Sequence, residues 1–272
     1  AGDDLRFGLV GYCNGVEQEL IPDAGFLSVR IPPFGRMTDV ASIDDPLDDD
    51  YGPGSYVYPT DPVFIPGAFD IRRLEMMLDI DNNLIFKVTI DGPLTWPWGG
   101  ITGYSLQAID IYIDTDGLPD SGQRSLFAGR NARTIPEHAW EYFVRASMDS
   151  VALYDDSGTR LDKVAVDSYA DLNTSSIFIK LPRSAITGSE NWHLIVAMLS
   201  HDGYSEGGVR PVRALPGQWV FGGCELGLPC PTIIDLVAGR EVGPQEAVLS
   251  SFRLTRDLVE IPGIEMIVPA TP

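Results

Sequence analysis

The chain has 272 residues, of which 44% are hydrophobic, with 39 acidic against 19 basic side chains and a formal charge of -20 at pH 7. That length and apolar content suffice to fill a real core, so the protein reads as globular. The charge excludes nucleic-acid phosphates and anionic membrane surfaces as natural partners and favours cations. No apolar run reaches the length of a membrane span and no basic leader precedes one, so no membrane insertion is expected. A start at Ala1, as signal peptidase would leave it, fits a secreted, extracellular or cell-surface chain.

In chain order, residues 1–43 read as an N-terminal arm. Leu5, Phe7 and Leu9 share one face of an extended strand there. Next comes IDDPLDDDYGPGSYVYPTD (43–61), six carboxylates around a Gly-Pro-Gly turn with no lysine or arginine within the run. Hard cations such as calcium take six to eight oxygen ligands from carboxylates and turn carbonyls, and one would relieve this crowding. A solvated acidic loop is the alternative. The clearest strands follow period two: LIFKVTI (84–90), LQAIDIYID (106–114), WEYFVRA (140–146), KVAVD (163–167), SSIFIKL (175–181) and WHLIVAML (192–199).

Between the first two strands, WPWGG (96–100) sets Trp96 and Trp98 on one side of an extended segment. With Tyr104 they form a candidate platform for stacking against carbohydrate rings, core packing being the rival reading. Trp140 and Trp192 open strongly alternating strands and are expected to be buried. In IDTDGLPDSG, Asp114, Asp116 and Asp120 alternate with glycines as in a calcium loop, but a plain hairpin turn uses the same residues. Asn173-Thr174-Ser175 is a glycosylation sequon at Asn173. Cys224 and Cys230 lie close enough in CELGLPC for a disulfide loop, with Cys13 left over; three buried thiols is the other reading.

Frequent Gly and Pro punctuation and scarce helices point to an all-β fold: a single antiparallel β-sandwich with long loops and extended N- and C-terminal arms. The segments DDDYGPGSYVYPTDPVFIPGAFDI (48–71), SLQAIDIYID (105–114), GRNARTIPEHAWEYFV (129–144), AMLSHDGYSEGGVRPV (197–212), WVFGG (219–223) and PTIIDLV (231–237) resemble, in this order, the C-terminal module of glucodextranases and amylopullulanases. That module is similar to family-nine carbohydrate-binding and DOMON-like sandwiches. The resemblance implies a non-catalytic, calcium-containing sandwich over residues 44–255, with a C-terminal arm at 256–272. As metal ligands it implies Asp48, Asp49, Asp61 and Asp70, with Asp114 and Asp116 behind them.

Familiar hydrolase signatures such as GxSxG and HExxH are missing, so no enzyme is expected, a hydrolytic carboxylate pair being the reading left open against this. Two functions follow. One is a calcium-binding cell-surface or filament subunit that assembles with copies of itself through its arms and sheet edges. The other is a carbohydrate-binding module recognising glucan-type sugars through Trp96, Trp98 and Tyr104.

Overall fold

The computed structural model describes residues 37–204, 208–238 and 243–269 and, as backbone, residues 4–7, 10–13, 16–19 and 27–30. The chain divides into two units, Ala1–Arg36 and Met37–Pro272. In the first, β1 (Asp4–Phe7), β2 (Val10–Cys13), β3 (Val16–Glu19) and β4 (Leu27–Arg30) pair among themselves. β1 runs antiparallel to β4 with Leu5 opposite Val29, and β2 runs antiparallel to β3. The arm is thus not one extended strand. Leu9 and the side chains of Leu5, Phe7 and Cys13 lie outside the described residues.

The second unit is a β-sandwich. Its five-stranded sheet has the order β12 (Asp167–Asp171), β13 (Ser176–Pro182), β7 (Asn83–Ile90), β6 (Ile71–Asp79) and β5 (Met37–Asp44), all antiparallel. The facing sheet has the order β11 (Val151–Asp155), β10 (Tyr142–Ala146), β8 (Gln107–Asp114), β14 (Asn191–Ser200) and β15 (Asp235–Leu236), with β17 (Ile264–Ile267) on the other half of the β14 edge. Alternate residues of both sheets meet between them. Leu74, Met76, Phe86, Val88, Ile177 and Ile179 come from one side, and Ile109, Ile111, Val144, Val196 and Met198 from the other. This places most of the apolar side chains out of water, where each is worth about 1.5–3 kcal/mol.

A third layer covers the outer face of the six-stranded sheet. Tyr112, Phe143, Ile195 and Ala197 point outward from the strands. Over them lie Leu126, Trp140, Ile233, Leu249, Phe252, Val259 and Ile261. These come from loops, from two short helices, α1 (Gln245–Leu249) and α2 (Phe252–Thr255), and from β16 (Val259–Ile261), which runs parallel to β9 (Ala132–Thr134). Every residue of β8 is consequently buried, including Asp110. The Asp110 carboxylate is paired with Arg130, whose Nε lies 2.7 Å away. Trp140 and Trp192 are buried, as their alternating context suggested.

Three boundaries differ from the sequence reading. β5 begins at Met37, so the sandwich starts before residue 44. The expected arm at 256–272 instead supplies β16 and β17: Ile264 and Met266 face the core while Glu265 and Ile267 face out, the period-two pattern of a docked strand. KVAVD is not a strand as a unit. Val164 and Val166 alternate because they pack on the core from a loop, and the ladder begins only at Asp167.

Candidate functional site

Residues 45–70 join β5 to β6 by turns alone, and a connection of that length in a compact domain usually has a function. Asp45 opens it, Asp70 closes it, and Asp235 of β15 lies beneath. Their placement follows from backbone contacts. Asp45 N–H donates to the Arg72 carbonyl at 3.0 Å, and its own Oδ1 accepts from Ala238 N–H at 2.8 Å. Asp48 adopts φ 63°, a left-handed turn that Asp tolerates, and its N–H donates to Asp70 Oδ2 at 2.8 Å. Asp235 accepts from Leu236 N–H at 2.7 Å and from Ile71 N–H. Gln245 fastens α1 to the loop by donating to the carbonyls of Asp49 and Gly52.

Carboxylate oxygens of Asp45, Asp49 and Asp235 come within 4.8 Å of one another. Asp45, Asp70 and Asp235 are 7%, 1% and 0% exposed, yet Asp45 Oδ2, Asp49 Oδ1 and Asp70 Oδ1 are buried without a hydrogen-bond donor. Among the described residues no lysine or arginine pairs with this group. Burial, followed by the charges of Asp50 and its neighbours, pushes Asp49 up to about 6 and Asp70 up to about 7. Burial first and the adjacent carboxylates second drive Asp45 and Asp235 upward too. Anions crowded out of water are unstable unless they are protonated or share a cation. An all-oxygen donor set with free lone pairs suits a hard divalent ion such as calcium.

Of the metal ligands expected from the sequence, Asp49 and Asp70 meet here. The Asp48 side chain is exposed, and this residue contributes its backbone N–H. Asp61 has both oxygens engaged elsewhere, one by Val63 N–H and the other by Gln218 Nε2. Asp45 and Asp235, which the sequence did not single out, stand in the same cluster. Asp235 had a signal, a lone carboxylate inside the apolar run TIIDLV, which burial obliges to find a partner.

Asp114 and Asp116 gather instead with Glu141. Four of the six oxygens there have protein donors of their own, and Asp116 Oδ2 and Glu141 Oε1 share the single Ser121 hydroxyl proton. Asp114 accepts from Asp116 and Gly117 N–H and lies 3.0 Å from His193 Nδ1, Asp116 accepts from Leu118 N–H and Ser121, and Glu141 accepts from Thr115 and Ser121. That is the geometry of a braced turn.

A cleft of about 320 Å³ opens where β8, β10 and β14 share one end of the six-stranded sheet. Trp98, Met148, Asp202, Gly203, Tyr204, Arg210 and Trp219 line it. Trp98 and Trp219 are partly exposed, with ring centroids 5.9 Å apart and planes inclined at 59°. The Arg210 guanidinium lies over the rings of Phe64 and Trp219, 5.3 and 5.4 Å from their centroids, and donates to the Trp219 carbonyl at 3.0 Å. Arg210 is 8% exposed and its Nε has no partner among the described residues. Asp202 is fixed by the Tyr204 N–H at 2.9 Å.

Trp96 is as exposed as Trp98 but stands outside this lining. Tyr104, expected as a third exposed ring, is a correction: it is fully buried, because the chain turns into the sandwich core just before β8. Trp219, Arg210 and Asp202 reach the cleft from the long β14–β15 connection, which alternation could not place.

Cys224 and Cys230 are joined by a disulfide with Cα atoms 5.9 Å apart. Asn173 lies exposed in the turn between β12 and β13. No helix among the described residues is long and apolar enough to cross a membrane.

A search of curated proteins finds no match to the chain. A family model, the SLH-like C-terminal binding module of glucodextranase, matches residues 40–260, well over half of the sequence and nearly all of the sandwich. The chain therefore belongs to the family of SLH-like C-terminal binding modules of glucodextranase.

Proposed function

We propose that the protein is a secreted or cell-surface, non-catalytic carbohydrate-binding module whose long acidic loop is held by calcium. The observation that carries the binding role is the cleft. Two inclined, partly exposed indoles stand beside a fixed arginine and a fixed aspartate, which is the combination of apolar faces and a few placed polar groups that small-ligand sites use. Sugar rings present an apolar C–H face to an indole and hydroxyls at their rim. The binding-module family and its association with glucodextranase support a glucan-type ligand, and the Cys224–Cys230 bridge supports an oxidising compartment.

Calcium would be held by Asp45, Asp49, Asp70 and Asp235, with loop carbonyls completing the set. Its chemistry there is charge neutralisation: it would turn mutual repulsion into shared coordination and so fix residues 45–70. Assembly with copies of itself, the other reading of the sequence, would use the terminal arms and the sheet edges, β5 among them. A bulge between Asp39 and Ala41 and the exposed Asp39 interrupt the β5 edge, which is how sheets discourage such pairing. Retention of the purified protein on immobilised glucan, and its release by soluble oligosaccharide, tests the proposal. A monomer that passes every glucan column unretarded contradicts it, and calcium-dependent sedimentation as large particles would favour assembly.

A further inference from the structure

We infer that the cleft takes the end of a neutral sugar chain, an inference that rests on the carbohydrate reading above. Three features of the lining lead there. First, the indoles of Trp98 and Trp219 are inclined at 59° rather than coplanar. Coplanar exposed rings suit the flat side of an extended polysaccharide, whereas two indoles in contact at this angle make a corner against which a single ring can seat. Second, the cleft, at about 320 Å³, lies at the small end of the roughly 300–1,000 Å³ of ligand pockets. It accommodates one or two rings, not a run of them. Gly203, at φ 81°, closes one side with bare backbone, and a Cβ built there would meet nothing within 4 Å, so the ring can approach the main chain closely.

Third, the polar groups come as a donor and an acceptor. Arg210 offers only N–H groups; it is more than nine-tenths buried, held by the Trp219 carbonyl and by two aromatic faces, and its Nε lacks a partner among the described residues. Asp202 offers only lone pairs, held in place by Tyr204 N–H. Adjacent hydroxyls of a neutral ring both accept and donate, so one can receive from Arg210 while its neighbour gives to Asp202. A uronate carboxylate could pair with Arg210 but would bring its charge beside Asp202, and an amino sugar the reverse, so a neutral ring meets both residues without repulsion. The sugar is therefore uncharged.

Titration of intrinsic tryptophan fluorescence tests this with maltotriose, isomaltotriose and cellotriose, then with the longer homologue and the cyclic form of whichever binds. Recognition of an end predicts the same affinity per molecule, within about threefold, for the trimer and the heptamer, and no binding of the cyclic sugar. Methyl glucoside should bind at least about tenfold more tightly than methyl glucuronoside. Asp202→Asn, which keeps the acceptor for Tyr204 N–H, should narrow that gap, a change that a purely structural role for Asp202 would not produce. Trp98→Ala, at an exposed position where folding is not at risk, should weaken binding about tenfold or more. Affinity that climbs with chain length, binding of the cyclic sugar, preference for the glucuronoside, or binding lost in Trp96→Ala but kept in Trp98→Ala would each overturn the inference and leave carbohydrate binding standing. Failure of every sugar to bind removes both.

Discussion

Replacing Asp45 by Asn separates charge crowding from metal ligation, because the two respond in opposite directions. Asp45 Oδ1 accepts from Ala238 N–H at 2.8 Å, and an asparagine oxygen can do the same. Asp45 Oδ2 has no donor among the described residues, and the Asp45 carboxylate lies with those of Asp49 and Asp235. The asparagine NH₂ would sit there and donate to a neighbouring carboxylate, a neutral group in place of a carboxyl that burial pushes up to about 8 and that must therefore take up a proton to fold at neutral pH. In chelator, Asp45→Asn should therefore melt higher than the wild type. With calcium, the wild type gains about 2.7 kcal/mol at a free concentration one hundred times Kd. At about 2–4 °C per kcal/mol for a domain of this size, that is a rise of about 5–11 °C. The variant, short of an anionic ligand, should gain much less, so the order of the two proteins reverses on adding calcium. Circular dichroism melts of both proteins in EGTA and in calcium, at neutral pH, measure all four values. A wild-type Tm indifferent to calcium, or an Asp45→Asn penalty that is the same in both buffers, would refute the reasoning.

Opening the Cys224–Cys230 loop by the double serine variant should cost about 2 kcal/mol in denaturant titration, the entropy of closing so short a loop; non-reducing peptide mapping should recover the two cysteines linked. Removing either member of the buried Asp110–Arg130 pair, 0% and 1% exposed, should cost about 3–5 kcal/mol, while the apolar double variant Asp110→Leu/Arg130→Met should recover much of it. Gly223→Ala should destabilise by more than the roughly 1–3 kcal/mol of a strained backbone, since φ is 97° and the new Cβ would collide with the Ser55 carbonyl oxygen; a variant with wild-type urea midpoint would contradict this. As pH falls, Asp79 should withdraw support. Burial raises its carboxyl, but bonds from Lys180 and Asn83 outweigh that and leave it below its ordinary value, so its contribution is present above about pH 4 and is lost as pH falls through the lowered value, read as a falling acid-side Tm that Asp79→Asn flattens.

The strands legible in the sequence are those whose alternation is unbroken. IDIYID, SIFIKL and LIVAML lie in β8, β13 and β14, each flanked by strands on both sides. β6 escapes the same search because Met76 and Met77 are adjacent and the ladder shifts register between Ile71 and Arg73. The third layer was hidden for another reason. Alternation says which face of a strand is apolar, but β8 is covered on both faces, and the cover comes from loops and short helices with no period of their own.

The site was legible in kind but only partly in membership, and the difference is one of contact order. The acidic loop announced a crowd of carboxylates by composition, and Asp49 and Asp70 stand in the buried cluster; Asp235 enters from residues far along the chain, and Asp48 leaves because a left-handed turn points its N–H, not its carboxylate, toward Asp70. The cleft repeats the pattern, with Trp98 visible locally and Trp219, Arg210 and Asp202 delivered by the fold. The same loop reaches both places. Tyr58 donates to Asp50 beside the carboxylates, its ring packs on Phe69 and Phe221, and Phe64 of the same loop packs under Trp219 and Arg210. Thr60 and Asp61 N–H groups donate to Gly217 and Gln218. The residues a cation would order at the ends of the loop thus support, through its middle, the tryptophan that forms one wall of the cleft, which is a physical reason for a binding module to keep six carboxylates in a segment without regular secondary structure.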